Sequence, residues 1–135
     1  MKQYVLDTNV ISEMRKPKPH GAVAAWVQSV PADRVFLAAV TLAELQTGIE
    51  LTRVNDPANA LEIELWVNAL DTRYRILPMD AICFREWARM IRGRPASLYE
   101  DAMIAATARV YGLIIATRNE RDFAQFGVSV LNPFR

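Results

Sequence analysis

Hydrophobic positions in this chain fall into short runs separated by longer stretches of helical period. The runs Tyr4-Val5-Leu6, Val35-Phe36-Leu37, Arg75-Ile76-Leu77, Leu113-Ile114-Ile115 and Val128-Ser129-Val130-Leu131 predict five short strands. Several have polar neighbours at one end only, as parallel strands buried on both faces do. The stretches between them predict helices over Val23–Val30, Thr41–Thr52, Ala58–Leu70, Ala81–Ile91 and Leu98–Tyr111. Leu61, Leu65 and Ala69, for example, recur at one-turn spacing. Strands alternating with helices predict the α/β class, with a parallel sheet covered on both faces. There are no repeats, low-complexity tracts or long linkers, and residues 1–135 read as a single domain.

Composition narrows the chemistry. The one cysteine, Cys83, lies in an apolar run and reads as a small buried hydrophobe, and a reducing interior is the natural setting. The one histidine, His20, follows the loop-like Lys16-Pro17-Lys18-Pro19. One His and one Cys cannot assemble a zinc site of nitrogen and sulfur ligands, and no Gly-x-Ser-x-Gly elbow is present. Of the 16 basic residues only Lys2, Lys16 and Lys18 are lysines, so a phosphate-binding Gly-x-x-x-x-Gly-Lys loop is excluded. No Gly-x-Gly pair marks a dinucleotide site. The longest charge-free apolar stretch near the centre, Val35–Ala43, is far short of the roughly 20 residues of a membrane span. Asp7 stands where a signal peptide would need its apolar segment, and a cytoplasmic location is expected. The formal net charge of +1 gives no sign of long-range attraction to a polyanion.

The positions of the acids carry the functional signal. Asp7 ends the first strand and is followed by Thr8-Asn9. Glu44 stands three residues after Thr41, and Asp101 opens a helix after Ser97-Leu98-Tyr99-Glu100. Asn119 and Asp122 follow the fourth strand. Each has an ordinary reading: Thr41 with Glu44, and Ser97 with Glu100, match the capping box, and Asn119 could cap a short helix. Together they point elsewhere. Strand-to-helix turns of a parallel sheet gather at its carboxyl edge, where ligands bind. Carboxylates gathered there raise one another's pKa, and a hard cation relieves the conflict with oxygen ligands alone. Such a site suits phosphoryl chemistry.

Four passages carry a resemblance: Val5-Leu6-Asp7-Thr8-Asn9-Val10-Ile11-Ser12-Glu13, Thr41-Leu42-Ala43-Glu44-Leu45-Gln46-Thr47-Gly48, Asp101-Ala102-Met103-Ile104-Ala105-Ala106-Thr107-Ala108 and Ala116-Thr117-Arg118-Asn119-Glu120-Arg121-Asp122-Phe123. In this order the set resembles the PIN-domain ribonucleases, the toxins of VapBC- or FitAB-type toxin–antitoxin pairs. The resemblance implies a three-layer α/β/α domain and an acidic Mg²⁺ site, with Mn²⁺ as a substitute, that cuts RNA. It places Asp7, Glu44 and Asp101 at the three principal catalytic and metal-holding positions. The fourth falls at Asn119 or Asp122, of which only Asp122 is a carboxylate. Thr8, Thr117 and Asn119 become supporting residues around the metal. A homodimer and a small antitoxin partner are implied, the antitoxin's tail blocking the groove with a basic side chain.

Arg118 and Arg121 flank the fourth acidic position and are the first candidates for RNA phosphate contact. Arg85, Arg89 and Arg92 are spaced to share a helix face and form a second track, against the plain reading of a solvated face. Trp26, Trp66 and Trp87 are assigned to packing ahead of base stacking. Two rivals differ in class. A haloacid-dehalogenase-like phosphatase would need a mid-chain lysine and an Asp-x-Asp loop where this chain reads Asp7-Thr8-Asn9. A catalytically weak module that only binds RNA or antitoxin would have no need of all the acids.

Overall fold

The computed structural model describes residues 1–135. Five parallel strands form one sheet: β1 (Tyr4–Leu6), β2 (Val35–Ala38), β3 (Arg75–Leu77), β4 (Ile114–Ala116) and β5 (Val130–Leu131), in the order β3-β2-β1-β4-β5. The expected strands are all present, the last shortened to Val130–Leu131. Tyr4, Val5 and Leu6 of β1 pair with Val35, Phe36 and Leu37 on one side and with Ile114, Ile115 and Ala116 on the other.

Successive residues of each strand point to opposite faces, and both faces are buried. Val5, Phe36, Ala38, Leu77 and Ile115 face one core, with Ala102, Ala105, Ala106 and Phe123. Leu6, Val35, Leu37 and Ala116 face the other, with Val10, Ile11, Val23, Ile49 and Val67. The second core is closed by α1 (Thr8–Met14), α2 (Gly21–Ser29), α3 (Ala39–Asn55) and α4 (Pro57–Asn68). The first is closed by α5 (Ala81–Met90), α6 (Tyr99–Tyr111) and α7 (Glu120–Ala124). The result is the α/β/α sandwich. Buried alanines let α6 approach the sheet closely, and Gly112 ends that helix at a φ of 69° that suits glycine.

Two helices exceed the periodic pattern. The seven-residue α1 and five-residue α7 are too short to show a helical period. The helix expected over Thr41–Thr52 runs over Ala39–Asn55 and starts directly from β2. Its N-cap is Ala38 and that of α6 is Leu98, neither with a side-chain cap bond, so neither expected capping box forms. Glu44 and Asp101 are thereby released from the capping role. The expected three-arginine helix face is also cut short: α5 ends at Met90, and Arg92 lies in the following turn.

The sheet order fixes the place of any ligand site. The chain leaves β1 for β2 and β3 on one side, then returns to β4 on the other. The order reverses between β1 and β4, so the crevice beyond their carboxyl ends lies between Asp7 and Thr117.

Candidate active site

Asp7 follows β1 and caps α1. Its backbone N–H donates to the Ala116 carbonyl at 2.9 Å, tying it to the end of β4. One carboxylate oxygen accepts from the Thr8 N–H at 2.8 Å. The other accepts from the Thr117 hydroxyl at 2.8 Å and the Asn9 amide at 3.0 Å. Asp7 is only 4% exposed, and every one of these donors is neutral. Burial pushes its pKa up, the hydrogen bonds from Thr117 and Thr8 pull it down, and the charge of Asp122 pushes it up again. The upward influences prevail.

Glu44 stands in the second turn of α3 and accepts from the Thr8 hydroxyl at 3.1 Å. Burial, with smaller contributions from the charges of Glu100, Asp7 and Asp101, raises its pKa to about 7 against the lowering Thr8 hydrogen bond. Asp101, in the first turn of α6, is raised to about 6 by burial and then by Asp7, Asp122 and Glu100. Five carboxylates therefore act on one another across the crevice. None of Asp7, Glu44, Asp101 and Asp122 is ion-paired with a lysine or arginine. Asp122, in the first turn of α7, acts on both Asp7 and Asp101. The Asn119 side chain makes no cap bond, and its backbone N–H donates to the Thr117 hydroxyl at 2.9 Å.

The sequence profile of the PIN domain matches residues 4–128, nearly the whole chain and every acid of the crevice. The chain belongs to the PIN-domain family. This PIN domain is 36% identical to Toxin FitB of Neisseria gonorrhoeae, over 96% of this chain and 97% of that protein. It is 33% identical to VapC ribonuclease Y4jK of Sinorhizobium fredii, over 96% of each. The crystal structure of FitAcB from Neisseria gonorrhoeae superposes with a TM-score of 0.81 at 33% identity, covering 98% of this chain and 99% of that one.

Within the PIN domain, two residues of the crevice went unassigned in the sequence. In the sequence Asn9 is only the residue two after Asp7. In the structure its amide nitrogen holds Asp7, and its amide oxygen accepts from the Arg118 N–H at 3.3 Å, joining the loops after β1 and β4. The i, i+2 spacing from Asp7 is the signal that could have found it. Glu100 reads as a capping partner of Ser97, yet it is exposed and adds its charge to Glu44 and Asp101. Two adjacent acids opening a helix were the signal.

The arginines divide. Arg118 is exposed, and its guanidinium lies 3.8 Å from the Phe134 ring centroid. Arg121 is exposed and unpaired. Arg89 is paired with Glu86 at 3.1 Å, and Glu86 also binds Arg109 at 3.0 Å. Arg85 and Arg92 are exposed. The tryptophans pack: Trp26 meets Tyr4 edge-on, and Trp87 meets Tyr99 edge-on while donating to its carbonyl at 2.9 Å.

As placed, no three of the chain's His, Cys, Asp and Glu side chains stand close enough together to ligate one ion. The donor set nonetheless suits a hard cation. It is all oxygen, partly to fully buried, mutually repelling and without a lysine or arginine partner. Mg²⁺ in particular is commonly held by one or two carboxylates, with waters and substrate phosphate completing its shell. Asp7 and Asp101 face each other electrostatically across the switch point and fit that role, with Glu44 and Asp122 on either side.

Proposed function

We propose that this PIN domain is a Mg²⁺-dependent endoribonuclease, served also by Mn²⁺, and the toxin half of a toxin–antitoxin pair. One observation carries the reading. Asp7, Glu44 and Asp101 share a crevice at the sheet's switch point, have raised pKa values, and meet no protein cation there. Family membership and the relatives named toxin and ribonuclease support the same conclusion.

A divalent ion in such a site supplies Lewis acidity at a phosphodiester and makes water a nucleophile near neutral pH. The chain's own residues do the rest. Asp7, Asp101, Glu44 and Asp122 provide the oxygen donors. Thr117 and Asn9 hold one oxygen of the Asp7 carboxylate, and the Thr8 N–H holds the other. Thr8 orients Glu44, and the Asn119 backbone is fastened to Thr117. Such outer hydrogen bonds orient ligands and tune their basicity.

The proposed partner is a small antitoxin whose basic side chain enters the acidic crevice and competes with the metal. A homodimer is proposed on the family resemblance. The proposed setting is the cytoplasm, where the RNA would be met; no helix is long and apolar enough to cross a membrane.

Incubating purified, antitoxin-free protein with total RNA in Mg²⁺ or EDTA tests the reading. Discrete fragments in Mg²⁺ alone are expected. Equal cleavage in EDTA would refute the metal dependence, and intact RNA in both would refute the nuclease.

A further inference from the structure

Beside the crevice lies a groove of about 520 Å³ lined by Arg118, Asn119, Glu120, Arg121, Asp122 and Arg135. No apolar side chain lines it. Three of its six residues are arginines, and one end is Asp122, the acid that acts on Asp7 and Asp101. Arg135 arrives from the far end of the chain and is held there: it pairs with Glu120 at 2.7 Å, and Asn132 donates to the same carboxylate at 3.2 Å. Asn132 also accepts from the Phe134 N–H at 2.9 Å, which folds the segment onto itself.

Phe134 joins this segment to Arg118. Its ring packs against the core on the α1–α4 side of the sheet and meets His20 edge-on at 5.4 Å between centroids. Its face carries the Arg118 guanidinium at 3.8 Å. Glu13, fastened to Lys16 at 2.9 Å and to the His20 N–H at 2.9 Å, also feels the Arg118 charge. The Arg118 guanidinium makes no side-chain hydrogen bond, which leaves its N–H donors, whose fork matches phosphate oxygens, free while the ring holds it. Of the two acids in the groove, Glu120 is occupied by Arg135 and Asn132, and Asp122 belongs to the acidic crevice.

We propose that this groove binds the backbone phosphates of the RNA strand next to the phosphodiester that is cut, through Arg118, Arg121 and Arg135, and that Phe134 is a positioning residue for Arg118. The assignment rests on the ribonuclease reading for the identity of the strand. Arg135 and Phe134 extend the phosphate track beyond the loop after β4 to the segment Asn132–Arg135. The groove supplies position, and the acids supply the chemistry.

The test is fluorescence anisotropy of a labelled single-stranded RNA 12-mer on the intact protein in EDTA, across a series of salt concentrations. Each phosphate contact to a single strand contributes about 0.7 to the slope of log affinity against log salt. Arg118→Ala, Arg121→Ala and Arg135→Ala are each expected to lower that slope by about 0.7. Phe134→Leu keeps an apolar side chain in the core and removes the ring face. It is expected to weaken binding by about two- to fivefold, the range of a cation–π contact. Phe134→Tyr is expected to bind as the parent does, and Phe134→Leu in the Arg118→Ala background to add no further loss. Cleavage in Mg²⁺ should show these losses as raised KM with kcat retained. Slopes unchanged in all three arginine variants, each folded by circular dichroism, would overturn the groove. Equal losses from Phe134→Leu with and without Arg118 would overturn the positioning role. Groove-dependent binding by a parent protein that never cuts RNA in Mg²⁺ would support the groove and refute the nuclease reading.

Discussion

Glu44 and Glu86 are both partly buried glutamates on helices packed against the sheet, and they live in opposite electrostatic worlds. Glu86 accepts from Arg109 at 3.0 Å and from Arg89 at 3.1 Å, and its pKa is held below the usual value, chiefly by Arg109. Glu44 receives one hydroxyl, from Thr8, and is raised to about 7. The contrast extends further. Glu50 and Glu64 both bind Arg53, Glu13 binds Lys16, and all three are lowered. Five glutamates, Glu13, Glu50, Glu64, Glu86 and Glu120, are ion-paired, whereas none of Asp7, Glu44, Asp101 and Asp122 is. A formal charge of +1 conceals this segregation. The divalent ion proposed for the crevice would supply the charge that its acids lack.

The sharpest way to break this contrast is to remove an acid. Asp101→Asn is expected to cut RNA cleavage by more than about a hundredfold, beyond the usual effect of losing an outer-shell partner. The melting temperature of the metal-free protein should hold or rise, because a repelling charge is gone. Cleavage rate and a thermal melt check both.

Thr117→Val comes next. It removes the buried hydroxyl that donates to Asp7 at 2.8 Å and accepts from the Asn119 N–H at 2.9 Å. A loss of about 10- to 100-fold in metal affinity or activity is expected. The unsatisfied groups should also cost about 1–3 kcal/mol of stability, read by denaturant titration.

The pH dependence of the metal-free fold sharpens the contrast. In the folded protein Glu44 and Asp101 titrate near 7 and 6, against ordinary values of 4.5 and 3.8. Their pKa values are raised, so the folded state binds more protons than the unfolded state between those limits. Stability from these two groups is therefore greatest at acid pH and declines as pH rises from about 4 to 7. Glu13, Glu50, Glu64 and Glu86, with lowered values, oppose this at the acid end. Replacing Glu44 and Asp101 by their amides should therefore raise metal-free stability more at pH 8 than at pH 5. Thermal melts of the parent and the double variant at both pH values check the difference.

The smallest expected effect lies on the other side of the comparison. Arg109→Met withdraws the main cation of Glu86 from a pair whose arginine side chain is 42% exposed. The change also removes the Arg109 donor to the Phe126 carbonyl, so a cost of about 1–2 kcal/mol is expected, with cleavage unchanged. A large loss of cleavage would mean that the two regions are not independent.

Much of this was legible in the chain. Strands of three or four residues announced themselves because both faces are buried and polar residues stop at their ends. Asp7, Glu44, Asp101 and Asp122 could be picked out as a set because the sheet topology brings strand ends together. The short helices α1 and α7 were hidden, since five or seven residues cannot display a period. The capping boxes misled because helix starts were set by the sheet. The chain enters α3 at Ala39, directly from β2, and a short 3₁₀ turn over Ala96–Leu98 precedes α6. Asn9, Glu100 and Phe134 were hidden for a different reason. Their roles depend on partners far along the chain or across the crevice, such as Arg118 for Asn9 and Glu44 for Glu100.

The proposed divalent ion is what the unpaired acids of the crevice are read to require. Calorimetric titration of Mn²⁺ into the antitoxin-free protein at pH 7.5, beside its Asp101→Asn variant, tests it most directly. Saturable binding to the parent, and loss of that binding in the variant with the fold intact, is expected. Equal Mn²⁺ binding by both proteins, or none by the parent, would contradict it.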